Sequence, residues 1–399
     1  MAVPGGLVDG PIYLDYNATT PVDPAVADAV LPYLTSAFGN PSSGHRYGTE
    51  ARGALDHARA RVAALIGTSA DRIVFTGSGS EANALAIQGA ALVARIDRPH
   101  VITQRTEHPA VLESCRALAS RHGVDVTYLP VDGDGLVDPA ALAAAFTPRT
   151  VLVSIMAANN ETGALQPIPE LARVTHEHDA VFHCDAAQAV GKLPVDVTAL
   201  DVDLLTVVGH KMYAPKGVGA LYVRPGVRLE PLVHGGGQEH GLRAGTENVA
   251  YAVALGTAAR LAADALVAGE HQRVRTLRDR LHARLRAGLG ERVRLNGPPT
   301  SRLPNTLNVS VDGVRAHELL AAIPEVATST GSACHSGRDM PSPVLTAMGL
   351  PAERSLAALR LSLGRWSTEE DVDRAAELIT AAGHGAVVTH SGPAHRALE

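Results

Sequence analysis

From Asp71 onward the apolar and polar positions follow two alternating rhythms. Short aliphatic runs read as buried strands: DRIVFTG (71–77), HVITQ (100–104), DVTYLPV (125–131), TVLVSIM (150–156) and AVFHCDAA (180–187). Between them lie Ala/Leu-rich stretches with helical spacing: EANALAIQGAALVAR (81–95), PAVLESCRALASRHG (109–123), PAALAAAFT (139–147) and IPELARVTHEHD (168–179). Strands that alternate with crossover helices build a mostly parallel sheet covered on both faces, an α/β fold. Ligands of such sheets sit outside the carboxyl ends of the strands. Chemistry is therefore expected at 77–80, Glu107–His108, Asn159–Asn160, 185–188 and 209–211.

The rhythm then changes. Residues 247–289 predict long connecting helices. A second unit follows, with strand LPNTLNVSV (303–311), helix AHELLAAI (316–323), strand EVATST (325–330), a Gly-rich loop, strand LRLSLG (359–364) and a last helix from Glu369. The expected division is a large domain over 20–262 and a smaller α+β domain made of 1–19 and 263–384. The smaller one carries a mobile loop over 329–346, and a flexible tail spans 385–399.

Length and composition agree with two domains: 399 residues exceed one ordinary core, and 46% hydrophobic against 19% charged residues exclude a disordered or coiled-coil chain. Aromatics are only 3%, so Ala, Val and Leu must fill the core. Thirty-five basic against 41 acidic residues give a net −6 without long runs, which offers no electrostatic support for nucleic-acid or membrane binding. Cys115, Cys184 and Cys334 are too few for a disulfide framework. The N-terminal stretch lacks the basic and apolar regions of a signal peptide, so a cytoplasmic protein is expected.

Candidate chemistry gathers at the strand ends. In VVGHKMYAPKG, Lys211 directly follows His210 at the end of an apolar run. Desolvation lowers a lysine pKa and makes the amine a nucleophile for aldehydes, so Lys211 is a Schiff-base candidate; alone, it reads more readily as a solvated strand-end lysine. Asp185 ends strand AVFHC, where a buried carboxylate needs a partner such as a pyridinium nitrogen, or else caps the turn after it. Gln188, three residues on, is placed to donate to a ring oxygen. TGSGSEANA offers Gly79, Ser80 and a helix start as a phosphate cradle. His108 suits stacking on a planar ring or a plain helix cap, and Asn160 suits a carboxylate or an Asx turn. Cys334, in TSTGSACHSGRDMPSPVL beside His335, is the candidate reactive thiolate, whereas Cys115 and Cys184 read as packing. A cysteine-hydrolase pair of Cys334 and His335 lacks an ordering third residue. A metal site at His183, Cys184 and Asp185 fails because consecutive strand residues point to opposite faces; no metal is expected.

Many segments, in order and over nearly the whole chain, resemble the cysteine desulfurases of the class V aminotransferase family. They are YLDYNATTPVDP, FGNPSSGHRYG, VFTGSGSEAN, TEHPAV, NNETG, HCDAAQAVGKLPVDV, GHKMYAPKGVGALYVR, HGGGQEHGLRAGTEN, LPNTLNVS, STGSACHSG and LRLSLGRW. The resemblance implies a fold type I architecture, pyridoxal 5′-phosphate as cofactor and L-cysteine as substrate. It also implies a sulfur acceptor, from iron–sulfur cluster assembly or another sulfur-using pathway. By the same resemblance Lys211 carries the cofactor, Asp185 pairs with its ring nitrogen, Gln188 with its phenolic oxygen, and His108 stacks on its ring. Gly79, Ser80 and His210 contact the phosphate. Thr246 reaches the phosphate of a neighbouring subunit, which implies a homodimer. Asn160 and Arg360 hold the substrate carboxylate, and Cys334 takes the sulfur. Two departures, Val208 where a serine is common and ACHSG around the cysteine, are similar to selenocysteine lyases, and that alternative stays open.

Overall fold

The computed structural model describes residues 2–330 and 340–389. Cys334 and His335 lie outside the described residues, as does the stretch 390–399 of the expected tail. The aliphatic runs form β1 (Ile73–Thr76), β2 (His100–Gln104), β3 (Asp125–Leu129), β4 (Thr150–Ser154), β5 (Val181–Asp185) and β6 (Leu204–Val208). With β7 (Gly219–Val223) they make a seven-stranded sheet in the order β1-β7-β6-β5-β4-β2-β3. The pairs among β2 to β6 are parallel, and β7 runs antiparallel to both β1 and β6.

Side-chain alternation loads both faces. Val153, Phe182 and Leu205 join one core with Leu55 and Leu255, whereas Leu152, Leu204 and Leu221 join another with Leu85 and Leu118. The covering helices include α1 (Pro24–Thr35), α2 (Arg46–Leu65), α3 (Gly79–Val93), α4 (Pro109–His122) and α5 (Val249–Val267). By length and composition α5 is apolar enough to cross a membrane, but it is a core helix whose residues from Ala252 to Ala259 are buried. After Gly269 (φ 79°), α6 (Glu270–Leu289) turns to a separate core.

That second core holds Leu281, Leu307, Leu361 and Ile379, and also Leu14 from the N-terminal stretch. Its sheet has strands β8 (Val293–Leu295), β9 (Thr306–Val311) and β10 (Ala358–Ser362), antiparallel in the order β10-β9-β8. Ile12–Tyr13 pairs in parallel with Val326–Ala327, and Asp15 bridges to Ser362, so the chain's start lies beside β10.

Two expectations are corrected. The last helix, α7 (Glu369–Thr389), runs past the expected tail start at 385. Gly383 does not stop it because the helix packs there against Leu289 of α6, a tertiary contact that overrides the glycine propensity. The loop expected over 329–346 is shorter at its far end: Ser342 caps a helix at Pro343–Ala347, accepting from Leu345 N at 3.2 Å. Its own hydroxyl donates to Glu161 Oε2 at 2.5 Å. At the near end Ser329 exchanges backbone hydrogen bonds with Arg360.

Candidate active site

The carboxyl ends of β1, β5 and β6 open onto a cleft of about 380 Å³. Asp185, the last residue of β5, is buried at its floor. Its Oδ2 accepts from Asn83 Nδ2 at 2.7 Å and its Oδ1 from Ala187 N at 2.9 Å. The capping role is thus present, although no helix follows, and the carboxylate faces the cleft besides. Asn83 Oδ1 is buried with no partner among the described residues. One residue back from Cys184, His183 is held between Ser154 Oγ (2.8 Å) and Thr206 Oγ1 (3.1 Å), and burial pushes its imidazole down to about 4.

β6 ends at Val208, and one tight turn, Gly209–Lys211, swings the lysine into the cleft. Lys211 Nζ donates to the main-chain oxygens of Asn17 and Ala18, both at 2.6 Å. Burial, reinforced by the Arg360 charge, lowers its amine to about 8 against an ordinary 10.5. His210 Nδ1 lies 3.1 Å from Thr19 Oγ1, and burial followed by the Lys211 charge drops its imidazole to about 4.

At the other end of the cleft α3 begins. Ser78 Oγ accepts from Glu81 N at 3.1 Å, which leaves the N–H groups of Gly79 and Ser80, at the first helical positions, without intrahelical acceptors. Only glycine fits at 79: an added Cβ would stand 2.3 Å from Val208 Cγ2. Arg243 ties a distant loop to this helix start through Glu81 at 2.9 Å. Thr246, on the same loop, is exposed and does not line the cleft of its own chain.

Arg360 reaches the cleft from β10. Its Nη2 donates to Asp15 Oδ1 at 2.8 Å and its Nη1 to Asn160 O at 3.3 Å. Its Nε is buried with no partner among the described residues. His108 lies across from these groups, its Nδ1 capping α4 by accepting from Ala110 N at 3.1 Å. That bond fixes the ring and leaves Nε2 as the protonated nitrogen. Desolvation holds the His108 imidazole below its ordinary value, against the opposing charge of Asp185. Cys115 and Cys184 are buried, and burial pushes the Cys115 thiol up to about 12 and raises the Cys184 thiol well above its ordinary value, away from thiolate chemistry.

The structure therefore brings Gly79, Ser80, His108, Asn160, Asp185, Gln188, His210, Lys211 and Arg360 to one cleft. Sequence reasoning missed Asn17, Asn83 and Lys192 and marked Glu107 only as a strand end; all four hold or neighbour these groups. Asn83 had a local signal in SEANA at a helix start, whereas Asn17 had none, because its partners lie far along the chain.

The residues fit pyridoxal phosphate. The free N–H groups at the start of α3 suit a phosphate, the buried Asp185 carboxylate suits a protonated ring nitrogen, and Gln188 supplies an amide donor. Lys211 supplies an amine whose lowered pKa suits covalent attachment to an aldehyde.

The family model for class V aminotransferases matches residues 12–375. The chain is 49% identical to the cysteine desulfurase IscS of Anaeromyxobacter dehalogenans (strain 2CP-C) over 371 residues, 92% of this chain and 91% of that protein. Among solved structures, a NifS-like protein is 36% identical with a TM-score of 0.86, covering 93% of this chain and 98% of its own. A structure titled SspA in complex with cysteine is also 36% identical, with a TM-score of 0.76 over 89% of this chain and 99% of its own.

Proposed function

The chain belongs to the class V aminotransferase family, and from that premise we propose that it is a pyridoxal-phosphate-dependent cysteine desulfurase. It converts L-cysteine to L-alanine and passes the sulfur, as a persulfide of Cys334, to an acceptor. One observation carries the reading: a single cleft is lined by Lys211 with its lowered amine pKa, by the buried Asp185 carboxylate and by Arg360. The relatives named for cysteine desulfurization, and the neighbour whose title includes cysteine, favour cysteine over selenocysteine.

Pyridoxal phosphate, when bound, supplies the electron sink for breaking bonds at the α and β carbons of an amino acid. The chain supplies the rest. The helix start at Gly79 and Ser80 holds the phosphate, and Asp185 holds a positive ring nitrogen against it. Arg360, oriented by Asp15 and by Asn160 O, offers its guanidinium to the substrate carboxylate. Lys211 Nζ moves the α-proton. With a pKa of about 8, roughly one in ten amines is neutral at pH 7, far more than for an ordinary lysine. Cys334 then receives the sulfur atom. Thr246, exposed on the loop that carries Arg243, serves the neighbouring subunit of a homodimer that works in the cytoplasm.

The test is a pulse of L-cysteine on the purified protein loaded with pyridoxal phosphate, followed by peptide mass analysis. One sulfur atom should be added at Cys334, with Cys115 and Cys184 unchanged, and Cys334→Ser should keep the visible absorbance while losing sulfur release. Borohydride should fix the cofactor to Lys211. Alanine formed from selenocysteine but not from cysteine, with no sulfur on Cys334, overturns the reading in favour of a selenocysteine lyase.

A further inference from the structure

Lys192 lies one turn beyond Gln188, in AQAVGK, and by sequence it is an ordinary lysine after a glycine. In the fold its ammonium group is drawn inward. Lys192 Nζ donates to Gln188 Oε1 at 2.5 Å and to Asn17 Oδ1 at 3.2 Å. Burial pushes the amine well below its ordinary value, and the Lys211 and Arg360 charges act the same way.

The bonding at Asn17 is directional. Asn17 Nδ2 donates to Thr306 Oγ1 at 2.8 Å and to Asn160 O at 3.2 Å, and Asn17 Oδ1 also accepts from Asn305 Nδ2 at 3.0 Å. Asn17 Oδ1 is thus the acceptor end, and Lys192 must donate to it. A second Lys192 N–H, present in either protonation state, meets Gln188 Oε1. On the other side Gln188 Nε2 donates to Asn17 O at 3.0 Å, and a main-chain oxygen can only accept. Both ends of the Gln188 amide are therefore fixed. Its oxygen faces Lys192, and one Nε2 hydrogen remains for the cleft that Gln188 lines.

We infer that Lys192 is a positioning residue: it locks the Gln188 amide so that an N–H, not a carbonyl, faces an acceptor oxygen of the bound cofactor. Without this clamp only the Nε2 bond to Asn17 O opposes an amide turned through 180°, which would set oxygen against oxygen. The inference rests on the pyridoxal-phosphate reading and deepens it by naming what orients one of its ligands. Lys192 itself touches neither cofactor nor substrate in this scheme.

A double-mutant cycle tests it, with pyridoxal phosphate titrated into cofactor-free protein and the visible spectrum of the bound state recorded. Lys192→Met should raise the dissociation constant about tenfold, the worth of one good hydrogen bond to a charged group, and move the visible band. In a Gln188→Ala background the same substitution should change neither quantity further. Lys192→Arg, which keeps only donors and has an adjoining cavity of about 30 Å³ to settle into, should stay within about threefold of the parent. It decides the matter should Lys192→Met fail to fold. Equal Lys192→Met effects in both backgrounds, no effect in the parent, or a Lys192→Arg variant as weak as Gln188→Ala, overturn the inference. A parent chain that binds no pyridoxal phosphate overturns the functional reading instead, so the two failures are distinct.

Discussion

Glu107 stands one residue before His108 and is only 3% exposed. Its Oε1 accepts from Met156 N at 2.7 Å and Gln104 Nε2 at 2.8 Å, while Oε2 is buried without a partner among the described residues. Burial, reinforced by the Asp185 charge, raises this carboxyl from 4.5 to about 8. The native state therefore holds a proton that the unfolded chain loses above about 4.5. The stability tied to that proton is fully present below 4.5 and is lost as pH rises through about 8. Relative to Glu107→Gln, the cofactor-free parent should lose up to about 1.4 kcal/mol per pH unit across that window, measured by urea unfolding. Parallel pH profiles would show the carboxyl to be ionised. Asp185→Asn is expected to fold, since the Asn83 amide can turn its unpartnered oxygen toward the new N–H. Its α-proton exchange with substrate should nevertheless fall by roughly 10²- to 10⁴-fold if, as proposed, that negative charge faces the ring nitrogen.

Among the elements, the start of α3 and the end of β6 depend on each other. Gly79 lets the helix start approach Val208 closely, and Val208 fills the place where a side chain at 79 would go. Gly79→Ala should therefore weaken pyridoxal phosphate binding and destabilise the fold by about 1–3 kcal/mol, the usual range for overpacking. Val208→Ala, introduced second, removes the methyl that clashes and should restore most of both losses. Calorimetry and cofactor titration on the four proteins of the cycle would check this. A Gly79→Ala penalty unchanged by Val208→Ala would place the clash elsewhere.

Across the whole molecule, Arg365 links the parts that carry the two cores. Its Nη1 lies 2.8 Å from Asp23, the cap of α1, and its Nε 3.0 Å from Glu270 at the start of α6. The guanidinium also sits 4.2 Å from the centre of the Tyr213 ring. Removing one partner from a buried ionic network leaves charges unpaired, so Arg365→Ala should cost about 3–5 kcal/mol in urea unfolding. A cost below about 1 kcal/mol, the worth of an exposed pair, would deny the link that role. Outside the cores, Leu31 and Leu34 of α1 are exposed, as is Phe38, which stacks on Tyr47 at 5.3 Å. Exposed apolar side chains of this size suit an interface with a second copy. Sedimentation at micromolar concentration should give twice the 41.4 kDa chain mass, and a monomer carrying its full cofactor would contradict the proposed homodimer.

The strand and helix rhythm of the large sheet was legible in the residues because hydrophobic periodicity and end signals act over a few positions. HVITQ became β2 without a shift, and PAVLESCRALASRH became α4, closed by Gly123. The strand ends that carry Asp185 and Lys211 were marked in the same way, and the resemblance supplied roles for them and for Arg360. What the sequence left open depends on burial and on partners far away. Nothing local marks β7 as antiparallel, since pairing direction follows from how the chain returns to the sheet. Lys192 looks solvated in AQAVGK, and only tertiary packing turns it toward Gln188 and Asn17. Asn17 gathers Gln188, Lys192, Lys211, Asn305 and Thr306 from across the chain. Local conformation is decided by neighbours in sequence, whereas desolvation, pKa and hydrogen-bond direction are decided by neighbours in space, and those exist only once the chain has folded.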